Sequence, residues 1–426
     1  MPFDLGTSSR SRWPLEQVLT LSGTGKRCPY VTPIHLLPDN VLLKIFDLCQ
    51  CNHVRGGILH TDVVWEWHIL VHVCQRWRHI TFASPLHLNL QISCTYGTPV
   101  RKSLGIWPTF PIVIGYEGWD RYKRHHGLRP TDEDNIVAAL EHPSRVCEVR
   151  LRGSGPSLGR IARVMQEPFP ALTHLILRSE DRNAPVLPSR FLGRSATCLQ
   201  ELKLHRIPFP ALPILLPSAS DLVTLTLSKI PQIGYISPEA MVACLATLTR
   251  LSELSIGFRW PNSSPDQIRV PLTTRTVLPA LTSFLFSGLR KYLEDFAAGI
   301  DAPQLHKISI DHFNQLVDFD VPQISRIINH SEALKRPIHC RIELGSKFIS
   351  FDLSETDVHI DICIQCEGID WQVSHLTQAL SQTPLVPSNI VYLTIQTYFD
   401  PNELIPEDLD VSSGCNSSTY SPPFSR

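Results

Sequence analysis

One phrase, apolar-x-x-apolar-x-apolar, recurs along most of this chain. It reads VCEVRL from Val146, LTHLIL from Leu172, LQELKL from Leu199 and LVTLTL from Leu222. It returns as LSELSI from Leu251, LTSFLF from Leu281, LHKISI from Leu305 and IVYLTI from Ile390. The closing alternation predicts a strand with one face turned to a core. As far as Leu305, neighbouring phrases are between 23 residues (Leu199 to Leu222) and 30 residues (Leu251 to Leu281) apart. Beyond Leu305 come three strand-like runs without the full phrase, RIEL, FISFDL and VHIDICI. Helix-like segments separate several phrases: SLGRIARVMQ, SPEAMVACLATL, KYLEDFAAGI, VPQISRIINH and QVSHLTQALS. Proline often stands just upstream of a phrase, as in FPAL, LPAL and DAPQL. A unit of one strand and one helix cannot bury its apolar face alone, so such units must stack on one another.

Phrase and period together resemble leucine-rich repeats. The resemblance implies an α/β fold over residues 85–411, a curved leucine-rich-repeat-like solenoid with a parallel concave sheet. A regular asparagine or cysteine after the strand is missing, so the units are similar to the longer, irregular repeats. An ordinary α/β domain with parallel strands is the alternative.

A chain of 426 residues exceeds one ordinary globular core, which fits an elongated array or several domains. With 19% charged residues and a net charge of −1, the composition gives no reason to expect a nucleic-acid partner. Its 12 cysteines follow no regular spacing and read as reduced thiols of a cytoplasmic or nuclear protein. The opening MPFDLGTSSRSRW has no apolar core of a secretory signal. No stretch reaches the roughly 20 apolar residues that cross a bilayer, so no membrane association is expected. Residues 1–32 read as a flexible N-terminal segment and 412–426 as a disordered tail.

Between them, residues 33–84 change character and read as helical. In LPDNVLLKIF, Leu37 to Phe46, Pro38 and Asp39 mark a helix start. Leu42, Ile45, Phe46 and Cys49 share one face, while Val41, Leu43 and Leu48 put apolar surface elsewhere. An arc this wide must be covered from more than one side. A second helical run follows, TDVVWEWHILVHVCQRWRHITFAS.

The Leu-Pro opening, the Ile-Phe pair and HVCQRWRHI in this order resemble an F-box. The resemblance implies a small helical trio that offers its remaining apolar surface to a Skp-type adaptor, which bridges to a cullin-based ubiquitin ligase. It places the adaptor contact on Leu37, Pro38, Leu42, Ile45, Phe46, Val73, Cys74 and Trp77. The pairing with leucine-rich repeats is similar to the F-box proteins expanded in mushroom-forming fungi. It implies a substrate-recognition subunit of an SCF-type ligase whose repeats bind a protein target. The departure is an insertion near residues 50–62, QCNHVRGGILHT, between the first and second helices. The alternative is a stand-alone leucine-rich-repeat interaction scaffold with a degenerate F-box.

Motifs for bond chemistry do not assemble. GSGPSLG at Gly153–Gly159 follows a strand and precedes a helix, but its glycine spacing departs from a dinucleotide fingerprint and Pro156 stiffens the loop. SGTGKR at Ser22–Arg27 lacks the earlier glycine and the hydroxyl residue of a phosphate loop. Cys363 and Cys366 have no second pair to close a zinc site, and Cys49, Cys51, His53 and His60 match no structural spacing. No catalytic residues, metal or cofactor are expected, and the chain reads as a non-enzyme.

In each phrase the third, fifth and seventh positions face away from the core. They are Glu148, Arg150 and Arg152, then His174, Ile176 and Arg178, then Glu201, Lys203 and His205. Later phrases offer Thr224, Thr226 and Ser228, then Ser283, Leu285 and Ser287, then Lys307, Ser309 and Asp311. Arg150, Arg152, His174, Arg178, Lys203 and His205 form a modest basic patch, the expected target contact for an acidic or phosphorylated segment. Residues 351–410 hold eleven Asp or Glu and no Lys or Arg, an asymmetry hidden by the neutral total.

Overall fold

The computed structural model describes residues 34–51, 66–84, 88, 90–96, 100–106, 110–117, 128–181, 185–259, 275–312, 321–335, 337–345, 348–365 and 390–398. They fall into two compact units, one reaching Leu88 and one running from Asn89. The first is helical: a 3-10 turn at Ile34–Leu36, α1 (Asp39–Cys51), α2 (Glu66–Val73) and α3 (Gln75–Ala83). Cys74 separates the last two helices and caps α3, its sulfur 3.4 Å from the Trp77 amide. The expected insertion near 50–62 lies mostly outside the described residues.

The second unit is mixed α/β. In chain order it runs β1 (Ile92–Cys94), α4 (Val100–Ile106), β2 (Ile112–Tyr116), α5 (Pro130–Leu140), β3 (Val146–Gly153) and α6 (Gly155–Val164). Then come β4 (His174–Ser179), β5 (Glu201–His205), α7 (Leu212–Leu215), β6 (Thr224–Ile230), α8 (Pro238–Leu245) and β7 (Glu253–Phe258). They are followed by β8 (Thr276–Val277), β9 (Ser283–Gly288), α9 (Arg290–Ala298), β10 (Ile300–Asp301), β11 (Lys307–His312) and α10 (Pro322–His330). The unit closes with β12 (His339–Gly345), β13 (Phe348–Glu355), β14 (Val358–Gln365) and β15 (Tyr392–Tyr398). Strands β8 and β10 pair by themselves, and the other 13 form one sheet.

Register explains why these residues make one sheet. Leu175, Leu202, Leu225, Leu254, Phe284, Ile308 and Ile360 are direct neighbours from strand to strand. Two residues on, Leu177, Leu204, Leu227, Ile256, Phe286, Ile310 and Ile362 form a second ladder. All of these side chains are buried. A slip of one residue would turn a whole strand's apolar set to solvent, so burial fixes the register. At about 25 cal/mol per Å² of apolar surface, each such side chain contributes roughly 1.5–3 kcal/mol of burial free energy.

The first apolar position of each phrase lies just before the strand and closes a turn. The amides of Leu172, Leu199, Leu222, Leu251, Leu281 and Leu305 donate to the carbonyls of Phe169, Ala196, Ala219, Leu248, Leu278 and Ala302. All six acceptor residues are buried. Pro170, Pro279 and Pro303 occupy the second turn position, where a fixed φ favours the bend. Helix starts use proline too: Pro130, Pro156, Pro238 and Pro322 stand in first turns. Between units, one carbonyl often accepts two successive amides, as Thr173 does from Gln200 and Glu201, and Val223 from Ser252 and Glu253.

Helices cover the ladder face. On α5, Glu133 is buried and accepts from Arg160 (Nε and NH2, both 2.6 Å) and from Ser157 Oγ at 2.6 Å, joining α5 to α6. The hydrogen bonds from Arg160 hold its carboxyl below the usual carboxylate range. Tyr116, Asn135 and Thr95 tie β1, β2 and α5 through a Tyr116 hydroxyl that accepts from Asn135 and donates to the Thr95 carbonyl, both at 2.9 Å. Helices α9 and α10 cap each other: Glu294 accepts from the amides of Gln323 and Ile324, and Arg326 donates to the carbonyls of Ala297 and Ile300.

The expected parallel sheet holds from β1 to β11 and on to β14, and then the direction changes. The chain skips two places after β11, forms β12, returns as β13, and lays β14 parallel beside β11; β13 pairs antiparallel with both neighbours. RIEL, FISFDL and VHIDICI are therefore a meander inserted in reverse order, and the sheet is mostly rather than wholly parallel. The physical reason is loop length. Residues Gly345 to Phe348 and Glu355 to Val358 are joined by two-residue links, which permit a hairpin but no crossover.

The ladder assigns opposite outcomes to adjacent residues of β7. Leu254→Ala is expected to cost about 2–5 kcal/mol, and Ser255→Ala, on the open face, to stay within about 0.5 kcal/mol. Denaturant midpoints of the two variants check this.

Candidate functional site

Two surfaces remain after the cores are filled. The first belongs to the helical unit. On α1, Leu42 and Phe46 are buried, with Phe46 against Trp77 at a ring-centroid distance of 4.8 Å. Val71, Ile80 and Thr81 complete the interior. Arg76 of α3 closes it from the end, donating to Asp39 Oδ1 (2.9 and 2.5 Å) and to the Leu37 carbonyl at 2.5 Å. This latch fixes the Leu-Pro turn against α3.

Val41, Ile45 and Leu48, at i, i+4 and i+7, make a second stripe on α1. Val41 is 39% exposed and Leu48 55%, and Ile45, at the border of the two stripes, is half-buried. Leu36 is 64% exposed before α1, and Val73 53% at the end of α2. Of the expected adaptor residues, Pro38, Val73 and Cys74 are exposed, and Leu37, Ile45 and Trp77 are half-buried. Leu42 and Phe46 are core residues and present nothing to a partner. Leu36, Val41 and Leu48 take their place as accessible apolar groups. The sequence signal for two of them was the width of the apolar arc.

The second surface is the open face of the sheet. Its rows are in register: Glu148, His174, Glu201 and Thr224 in one, then Arg150, Ile176, Lys203 and Thr226, then Arg152, Arg178, His205 and Ser228. The expected basic patch is largely matched by carboxylates. Arg150 pairs with Glu148 and Lys203 with Glu201, each at 2.5 Å along its own strand. Arg152 pairs with Glu180 at 2.9 Å and Arg178 with Glu117 at 2.8 Å. The Arg150–Glu148 and Arg178–Glu117 contacts are charge pairs without hydrogen-bond alignment. Such partly exposed pairs contribute about 0–1 kcal/mol each, so their main effect is on the surface potential.

Two positions expected on the open face, one of them the expected contact His205, change character. Ile176 is buried, with the long side chains of Arg150 and Lys203 as its row neighbours, able to lay methylene stems over it. Burial, and then the cations Lys229, Arg206, Arg178 and Arg152, push His205 down to about 4, so its imidazole is neutral at pH 7. Its Nδ1 lies 2.8 Å from Ser228 Oγ. His174 keeps its place on the open face, with Nδ1 2.8 Å from Thr173 Oγ1.

Arg206 and Lys229 were missed by the phrase reading, because they fall beyond its seventh position. Both have left-handed backbone, at φ 59° and 53°. Lys229 belongs to a bulge, where Leu227 pairs with Ile256 but Ile230 with Phe258.

Further along the sheet the face turns to hydroxyls and then to acid. Asp352 and Asp361 are cross-strand partners. Asp361 accepts from Ser309 (3.1 Å) and Ser350 (3.3 Å), and Asp352 lies 3.3 Å from His359 Nδ1. Among the described residues no group of His, Cys, Asp or Glu is arranged to hold a metal ion. The glycine loop forms the expected strand-turn-helix, but its amides have partners within the chain. Gly155 donates to Asp181 at 2.6 Å and Ser157 to Ser154 Oγ at 3.4 Å. Burial raises Cys94 to about 12, and Cys147 and Cys340 to about 11, so these thiols stay protonated. Ser22–Arg27, His53, His60 and Cys366 lie outside the described residues. Among the described residues no helix is long and apolar enough to cross a membrane.

The two stripes of α1 predict different responses. Phe46→Ala is expected to cost about 3–5 kcal/mol, and Leu48→Ala to stay within about 0.5 kcal/mol, both read by thermal melting. No family model matches the chain, and no curated protein matches it.

Proposed function

We propose that the chain is the substrate receptor of a cullin-RING ubiquitin ligase. The helical unit is an F-box that docks a Skp-type adaptor through Leu36, Pro38, Val41, Leu48 and Val73. The sheet unit is a leucine-rich-repeat-like array that holds a protein target on its open face. The observation that carries this reading is the second apolar stripe of α1. A unit this small has filled its interior with Leu42, Phe46 and Val71, yet leaves Leu36, Val41, Leu48 and Val73 in water. Leu36 and Val41 flank the latched Leu-Pro turn, Leu48 continues the same stripe of α1 and Val73 ends α2, and exposed apolar groups so placed fit a partner-binding surface better than a solvated one. The array reading is supported by the six repeated pre-strand turns and the two in-register apolar ladders.

The mechanism needs no bond chemistry from this chain. One surface holds the ligase and the other the target, and the gain is effective concentration at the ubiquitin-loaded enzyme.

A pull-down with a purified Skp-type adaptor tests the reading. The parent chain is expected to capture the adaptor, and a Val41→Asp, Leu48→Asp variant to lose at least about tenfold in affinity, the scale of one interface hot spot. Both substituted positions are exposed, so the variant keeps the parental melting temperature. Equal capture by that folded variant sinks the docking surface. No capture by a folded parent favours the stand-alone scaffold with a degenerate F-box.

A further inference from the structure

We infer that the ends of β3 to β6 form a cationic rim, Arg152, Arg178, Arg206 and Lys229, that binds an extended acidic segment of the target protein lying across the strands. This deepens the proposed target-binding role of the open face and rests on that reading.

Charge is the first support. The inner rows are neutralised strand by strand, Arg150 by Glu148 and Lys203 by Glu201. Among the described residues at the rim, these four cations stand beside three carboxylates, Glu117, Glu180 and Asp181, the last also accepting from the Gly155 amide. Arg178 is 51% exposed despite its pair, and Lys229 is exposed. Excess positive charge is therefore concentrated where the strands end. Burial, and then these four cations, hold the imidazole of His205 neutral.

Backbone conformation is the second. Arg206, just past the end of β5, and Lys229, within β6, occupy left-handed positions, a conformation that favours glycine. A long cationic side chain there stabilises nothing by its backbone. The bulge at Lys229 turns its side chain out of the ladder alternation, and bulges commonly re-aim side chains at binding sites. Such conformations at non-glycine residues cluster where ligands bind.

Span decides the ligand. From β3 to β6 is three strand spacings, about 14 Å, which is too long for a single phosphate and matches roughly four to five residues of extended chain. Carboxylates or phosphoserines distributed along a peptide both supply charge at that spacing, and the arginines offer each a forked donor.

The test is fluorescence anisotropy on the full chain with a labelled polyglutamate peptide, a labelled peptide of alternating phosphoserine and glycine, and inorganic phosphate as competitor. Both peptides are expected to bind with strong salt dependence, the tighter one identifying the charge carrier, while phosphate competes poorly. Lys229→Gly and Arg206→Gly are each expected to weaken binding about tenfold, on the scale of one charge-assisted hydrogen bond, while melting at or above the parental temperature. Arg250→Gln, a cation in the turn before β7, should leave binding unchanged. Absence of peptide binding by the parent overturns the rim. So does binding that survives both glycine variants, or that falls equally with Arg250→Gln. Adaptor capture is measured on the same preparation. A chain that captures the adaptor but no acidic peptide loses the rim and keeps the receptor reading; one that binds the peptide through the rim without capturing the adaptor does the reverse.

Discussion

The sheet unit depends on one constraint, the strand-to-strand register of its apolar side chains. Each phrase delivers two inward residues, and each must meet its counterpart on the next strand or leave a gap in the core. That requirement places the pre-strand turn, because the first leucine of the phrase must be buried before the strand begins. It also limits direction less than one expects. Ile362, Phe351 and Ile342 continue a ladder through antiparallel neighbours, since inward alternation is preserved when a strand is reversed. Helix placement follows, with α5, α6, α9 and α10 joined through Glu133, Arg160, Glu294 and Arg326 where their ends would otherwise leave polar groups unmatched.

Surfaces with a possible role are what this packing leaves over. In the helical unit the leftover is apolar, because α1 carries two stripes and the unit has interior for one. On the sheet the leftover is polar and graded, from paired charges through hydroxyls to the Asp352 and Asp361 pair. Like charges placed directly opposite cost stability, and here Ser309, Ser350 and His359 offset part of it. The left-handed Arg206 and Lys229 are a comparable local cost on the same face. A receptor that must present one surface to a ligase and another to a target accounts for both kinds of leftover, and that is the basis of the functional reading.

Much of this was legible in the sequence. The phrases that became β3 to β7, β9 and β11 could be read because alternation and burial coincide in them, and α6, α8, α9 and α10 because the helix-like segments carry apolar spacing. The meander was not legible. RIEL, FISFDL and VHIDICI alternate like the other strands, and alternation carries no information about direction. The burial of Leu42 and Phe46 within the helical unit is not legible for a related reason: a helical stripe shows that a face is covered, not whether the cover is the chain itself. The basic patch lost its surplus to Glu117 and Glu180, which lie outside the phrases and meet Arg178 and Arg152 only through the fold.

Amide hydrogen exchange on the full chain, with and without a purified Skp-type adaptor, distinguishes an α1 that docks the adaptor from one that stays solvated. Slowed exchange is expected over Leu36 to Leu48 and around Val73, with the amides of β3 to β7 unchanged. Unchanged exchange across α1 in the presence of saturating adaptor, or protection confined to the sheet, would contradict docking through α1.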